Sequence, residues 1–281
     1  HQVGQQEHMK VSEYRQVMDT LARFASMRAT ARGPESLIGV QYDGERLKLI
    51  SGSTTAGMVI VVDTDVVAAP GRYAYVISAR SLLESAKVLS AKDTVSFIVT
   101  PTSLAVVASG GGRLELKAMG PLGESGFPKK PRSHVAVARV CDGQWGQMAR
   151  LLTDVADKIE RPSVHISKGD VFVSVVSPGL RAKYVSLRLE GEGQSDITLV
   201  AELGFWDALR ALRGNGELRF SGDGMQAITD GAECFTGSVK ADTDFSWPVL
   251  GFEGGNVSFT CERTALMAAI KGQASADIHN R

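Results

Sequence analysis

The feature that most constrains this chain is an internal repeat. Gly44 matches Gly169, 125 residues on, and Leu82 matches Phe205 and Phe97 matches Phe220, each 123 residues on. An offset held that steadily across a turn, a helix and a strand is the mark of a duplicated supersecondary unit. The 281 residues then divide naturally into two domains of ordinary size, and 43% hydrophobic content is enough to give each a core.

In the first copy, Tyr14, Val17, Met18, Leu21 and Phe24 recur at three- and four-residue spacing after Lys10 to Ser12, which predicts a helix with one apolar stripe. Leu37 to Ile50 reads as a hairpin around Asp43-Gly44, because that pair supplies the positive φ of a tight turn. Gly57 to Asp63 and Tyr73 to Ser78 carry strand signals. Ala79 to Leu89 places Leu82, Leu83, Ala86 and Leu89 on one helical face, and Val95 to Val107 with Arg113 to Ala118 closes the unit in strands. The second copy runs from His134. Its first helix, Gln144 to about Lys158, displays Trp145, Met148, Leu151, Leu152 and Val155; its hairpin, Val164 to Val176, turns at Lys168-Gly169. Its second helix, Leu203 to Leu212, repeats the stripe as Phe205, Trp206, Leu209 and Leu212, and Leu218 to Phe220, Gln226 to Thr229 and Cys234 to Val239 finish the sheet.

The stretch from about 121 to 133 holds Pro121, Gly123, Gly126, Pro128 and Pro131, residues that interrupt regular ladders, and is expected to be an extended linker. The expected divisions are 1–8, a polar Gln-rich appended segment before Met9; 9–120 and 134–250, two domains; and 251–281, the opening of an incomplete third. In that last part Asn256 to Thr260 reads as a strand and Arg263 to Lys271 as a helix with Leu266, Met267 and Ile270 apolar.

Lys+Arg and Asp+Glu both total 31, so the net charge is zero and any nucleic-acid surface must arise from local segregation of charge. The cysteines, Cys141, Cys234 and Cys261, lie far apart without metal-type pairing, which fits a reducing compartment, and a cytoplasmic location is expected. No stretch reaches the roughly 18 to 20 apolar residues that span a bilayer, so no membrane partner is expected. His134, His165 and His279 form no ligand spacing, and no phosphate-loop or nucleophile-elbow pattern occurs; no enzyme activity and no cofactor are expected. Gly110-Gly111-Gly112 lies between two strand signals and reads as a hairpin loop. Asp154 and Asp157 read as a solvated helix edge.

Gly120-Pro121-Leu122-Gly123-Glu124-Ser125-Gly126-Phe127-Pro128 is similar to the Leu-Pro, acidic, Phe-Pro linker that closes the first domain of bacterial DNA polymerase III beta subunits, the sliding clamps. Phe235-Thr236-Gly237 through Asp244-Phe245 and Val249-Leu250 resembles the end of their second domain, and Ser177-Pro178-Gly179-Leu180-Arg181 resembles a Thr-Asp-Gly-His-Arg segment, keeping Gly179 and Arg181. The resemblance implies an α+β fold of tandem processivity-fold (DNA clamp) domains, antiparallel sheets outside and two helices per domain inside. It implies a ring that encircles double-stranded DNA as a processivity factor in DNA replication. Its partners would be DNA polymerase, a clamp loader and other proteins bearing clamp-binding motifs. The ring would be a homo-oligomer, a dimer of three-domain chains or a trimer of two-domain chains. DNA-facing candidates on the helices are Arg15, Arg23, Arg80, Lys87, Arg150, Arg210 and Arg213, whose charges attract phosphates without reading sequence. Gly179, Leu180, Arg181 and Val249 would line the second-domain side of a partner-peptide pocket. A tandem β-rich protein-binding module that does not encircle DNA is the competing reading, and the two striped helices per copy argue against it.

Overall fold

The computed structural model describes residues 8–28, 30–154, 163–167, 170–175, 185–193, 197–200, 203–221, 224–237 and 240–241, all within one compact unit. Its first half runs β1 (Met9–Lys10), α1 (Val11–Leu21), β2 (Leu37–Tyr42), β3 (Leu47–Gly52), β4 (Ala56–Val62), β5 (Val66–Ala68), β6 (Tyr73–Ser78), α2 (Ala79–Val88), β7 (Thr94–Val99), β8 (Ser103–Ala108), β9 (Arg113–Lys117) and β10 (Gly120–Pro121). The second half runs β11 (Ala136–Val140), α3 (Gln144–Asp154), β12 (Ser163–Ser167), β13 (Asp170–Val175), β14 (Val185–Gly193), β15 (Ile197–Val200), α4 (Leu203–Ala208), β16 (Gly216–Phe220), β17 (Met225–Thr229), β18 (Ala232–Thr236) and β19 (Lys240–Ala241).

The pairings recur along with the elements. Hairpins β2–β3 and β12–β13 are each extended by β4 or β14 on one side and by β6 or β15 on the other. Ladder β1–β7–β8–β9 is matched by β11–β16–β17–β18, and β10 on β6 is matched by β19 on β15. Almost every pair is antiparallel; the exception is β5, which lies parallel to β7. The halves meet where β18 adds to the free edge of β4, Ala232 opposite Ile60 and Thr236 opposite Ala56. One sheet of fourteen strands therefore crosses the seam.

Local chemistry accounts for the elements. Glu13 reaches back to the Lys10 N–H at 2.8 Å and so caps the start of α1, and the Ser78 hydroxyl accepts from Ser81 N–H at the start of α2. Tyr14, Met18 and Leu21 of α1 and Leu82, Leu83 and Ala86 of α2 bury their predicted stripes against the sheet. Inside that core the Tyr14 hydroxyl bonds Ser85 Oγ at 2.5 Å, and burial pushes the phenol pKa up to about 12. The predicted run Val95 to Val107 is two strands, broken at Thr100-Pro101-Thr102, where the Thr100 hydroxyl accepts from Ser103 N–H at 3.0 Å. The helix predicted over Leu203 to Leu212 is α only to Ala208 and a 3-10 turn over Leu209–Ala211; Phe205, Trp206, Leu209 and Leu212 are all buried even so. The turn Lys168-Gly169, residues 155–158 of the predicted third helix, and Asn256 to Lys271 lie outside the described residues.

Asp43 organises the first hairpin. Its carboxylate accepts from the Arg46 N–H at 2.8 Å, from Lys48 Nζ at 3.0 Å and from the Glu45 N–H at 3.1 Å, which together hold its pKa far below the usual carboxylate range. A depressed folded pKa contributes stability that is present above the unfolded value near 4 and is lost as the pH falls below it. An Asp43→Asn variant is expected to flatten the acid limb of stability, the gap from the parent narrowing as denaturant unfolding is repeated from about pH 6 down to about pH 3.

Strand alternation assigns the two faces of the sheet at the seam. Leu49, Met58, Ile60 and Cys234 point to the helix side and join the main core. Ile50, Val59 and Phe235 point the other way and form a second cluster with Leu122 and Phe127. The expected linker is thus docked on the sheet, starting as β10 and a 3-10 turn at Leu122–Glu124.

Candidate nucleic-acid interface

The helix side of the sheet gathers arginines into two clefts. The first, about 960 Å³, lies where the halves meet: Arg23, Arg28 and Arg32 from the segment between α1 and β2 face Ala56 of β4 and Gly204 of α4, with Glu35 as the one acidic lining residue. The second, about 410 Å³, is lined by Arg150 of α3, Arg210 and Arg213 at the end of α4, and Asp142, Gly143, Gly146 and Leu212. The loops framing this second cleft are tied together, since Asp142 Oδ1 accepts from the Gly214 N–H at 2.9 Å and Asn215 Oδ1 accepts from the Asp142 N–H at 3.0 Å. Trp145 Nε1 adds a bond to the Gly214 carbonyl at 3.0 Å. Asp142 thereby serves the loop, and the arginines dominate the charge of the cleft.

Four of the seven predicted phosphate-binding residues are brought together this way. Arg23 lines the first cleft; Arg150, Arg210 and Arg213 line the second. Asp207 connects the two groups, with Arg23 Nη1 at 2.9 Å from Oδ2 and Arg210 Nε at 2.9 Å from Oδ1. Arg210 also donates to the Thr153 hydroxyl on α3, and Arg213 Nη1 donates to the Arg210 and Leu212 carbonyls at 2.7 and 2.8 Å.

The other three line neither cleft. Arg15 donates to the Ala86 and Leu89 carbonyls at 3.1 and 2.8 Å, where a cation satisfies the open end of α2. Arg80 pairs with Glu84 one turn on at 2.9 Å, and Lys87 is exposed on the last turn of α2. Gly179, Leu180, Arg181 and Val249, the predicted peptide pocket, lie outside the described residues.

Arg28 and Arg32 were not among the predicted contacts, which were drawn from helix faces. Their signal was in the sequence: residues 23 to 32 hold three arginines and no acidic residue. Among the described residues no group of three or more His, Cys, Asp or Glu side chains could hold a metal, and no helix is long and apolar enough to cross a membrane. Cys234 is fully buried and burial pushes its thiol pKa up, so it stays protonated in the core.

No protein-family profile and no curated protein matches the sequence. Solved structures do. The beta clamp of Helicobacter pylori, bound to a DNA ligase peptide, aligns with a TM-score of 0.65 at 15% identity over 86% of this chain and 68% of that one. The fold is that of the bacterial sliding clamp. A DNA polymerase sliding clamp from Pseudomonas aeruginosa aligns with a TM-score of 0.63 at 18% identity over 84% of this chain and 64% of its own. The DNA polymerase III beta subunit of Thermotoga maritima does so with 0.63 at 13% over 86% and 65%. This chain thus spans about two thirds of the length of these clamps.

Proposed function

We propose that this chain works as a DNA sliding clamp of the polymerase III beta-subunit kind: a non-enzymatic cytoplasmic ring that encircles duplex DNA and tethers DNA polymerase, a clamp loader and other motif-bearing proteins during replication. The observation that carries this reading is the seam. There β18, the counterpart of β9, adds to the edge of β4, the counterpart of β14, so one repeat joins the next head to tail through the sheet. Among the described residues β9 has β8 as its only strand neighbour, and β14 before residue 190 pairs only with β13. Among the described residues one end of the unit therefore leaves a β18-type edge unpaired and the other leaves part of a β4-type edge unpaired, the two complementary sides of the seam. Head-to-tail contacts of this kind generate rings when the rotation closes.

The arginine clefts support the same reading, because they lie on the helix side, the face such a ring would turn inward, and phosphate contacts without base contacts let a protein slide. Domain boundaries at 9–120 and 134–250, the phosphate role of all seven predicted cations with Arg28 and Arg32 added, and a peptide pocket at Gly179, Leu180, Arg181 and Val249 belong to this proposal. So does the homo-oligomer, a dimer if each chain contributes three repeats and a trimer if two. The test is topological. With a clamp loader and ATP, the protein is expected to stay on nicked circular duplex through a high-salt gel-filtration step and to leave when the circle is cut. Equal loss from circular and linear DNA would overturn encirclement and favour a β-rich module that binds proteins alone.

A further inference from the structure

Asp207 holds one carboxylate between two guanidinium groups from different halves of the chain. Arg23, just past the end of α1, lies with Nη1 at 2.9 Å from Oδ2 and also donates to the Asp207 carbonyl oxygen at 3.4 Å. Nε of Arg210 lies 2.9 Å from Oδ1. Each carboxylate oxygen therefore faces a different arginine. The arginine side chains are 31% exposed and that of Asp207 46%, although Arg210 Nε itself is buried, so the more open of the two pairs is the one with Arg23.

A backbone phosphate resembles this carboxylate in the two respects that matter: one negative charge, carried on two outward oxygens that accept charge-assisted hydrogen bonds. Two arginines gathered around one carboxylate are therefore already placed for one phosphate. An ion pair as open to solvent as that of Arg23 is weak and exchanges partners readily. Arg210 keeps its bond to the Thr153 hydroxyl whatever Asp207 does, whereas the contacts of Arg23 are with Asp207 itself.

We propose that Asp207 is an internal stand-in for a DNA phosphate at the seam, holding Arg23 and Arg210 gathered and neutralised and competing with backbone phosphates for them. This rests on the clamp reading and deepens it. Every phosphate neutralised adds affinity and salt dependence, and a tether that must slide gains nothing from a tight grip at one point. Asp207 keeps the grip at the seam below what the arginines alone would give. A merely structural bridge between α1 and α4 makes the opposite forecast: its loss would loosen the arginines and weaken DNA binding or leave it unchanged.

The experiment is fluorescence anisotropy of a short labelled duplex, titrated with the whole chain over a range of sodium chloride concentrations. Asp207→Asn is expected to bind severalfold more tightly than the parent, with a log–log salt slope steeper by about 0.9, the value of one added phosphate contact. Asp207→Glu, which keeps the carboxylate, is expected to stay at the parent values. Adding Arg23→Ala to Asp207→Asn is expected to remove the gain. Binding by Asp207→Asn that is equal to or weaker than the parent, with the parent slope, overturns the proposal and leaves the clamp reading standing. No binding of the linear duplex by any of these proteins overturns the proposal, which needs phosphates to reach Arg23 and Arg210, and leaves the clamp reading to the circular-DNA test.

Discussion

A Phe235→Ala variant is expected to lose about 3–5 kcal/mol of unfolding free energy, the usual range for deleting a buried phenylalanine whose surroundings cannot collapse. Phe235 is 2% exposed on β18, directly opposite Gly57 on β4. A Cβ on Gly57 would come within 2.6 Å of the Phe235 ring, so glycine is what lets the ring lie flat across the seam. Around it stand Ile50, Val59, Leu122 and Phe127, and the Lys130 ammonium sits 5.6 Å from the ring centre while pairing with Glu233 at 2.5 Å. The site is bounded by backbone on one side and by the docked 120–131 segment on the other, so the void left by alanine has little to fill it. Phe127→Ala removes the same contact from the segment side and, being half-buried, is expected to have a smaller effect in the same direction. Equilibrium urea unfolding measures both. A loss for Phe235→Ala below about 1 kcal/mol would mean that the second cluster contributes little to joining the halves.

That cluster also marks the limit of what could be read from the sequence. The repeat, the two striped helices in each half and the hairpin at Asp43-Gly44 were legible because each is encoded locally, in periodicity or turn chemistry within a dozen residues. Tyr14, Met18, Leu21, Leu82 and Phe205 are buried where their spacing placed them. The 121–133 stretch was not legible in that way. Its prolines and glycines report a broken ladder equally well for a free linker and for a segment laid on a sheet. The deciding residues, Gly39 beneath Leu122 and Gly52 beneath Phe127 on strands, and Gly224 beneath Pro131 just before β17, lie far away in the chain. β5 was missed because three residues, Val66–Ala68, are too few to show alternation, and its parallel pairing with β7 leaves no local trace.

The basic surface divides along the same line. Sequence could nominate arginines on helix faces, since any surface helix exposes its charges. It could not say that Arg15 would serve the carbonyls of α2 or that Asp207 would stand between Arg23 and Arg210, because those partners come from other elements. The α1–β2 segment carries its signal openly, in three arginines from 23 to 32 without an acid, but outside any helix periodicity.

Reversing two charges in the second cleft, Arg150→Glu with Arg213→Glu, is expected to have the largest effect on DNA binding of any change outside the core. These two are chosen over Arg210 because Arg150 is an exposed position on α3 and Arg213 bonds only backbone carbonyls among the described residues, whereas Arg210 joins α3 to α4 through Thr153. Their replacement should leave Trp145, Met148 and the α3–α4 packing intact, and the melting temperature close to the parent's. If each arginine meets one phosphate, removing both contacts flattens the log–log salt slope by about 1.8, and the new carboxylates add repulsion, so affinity at moderate salt should fall by at least about tenfold. The chain carries no net charge, so a change of four charges alters its overall field as well. The control is therefore Arg46→Glu with Arg72→Glu, the same change at exposed positions outside both clefts, which should cost far less affinity and leave the slope near the parent's. Equal losses from the two double variants, measured by anisotropy across a salt series, would show that only the summed charge matters, and the second cleft would then lose its claim to be a phosphate site.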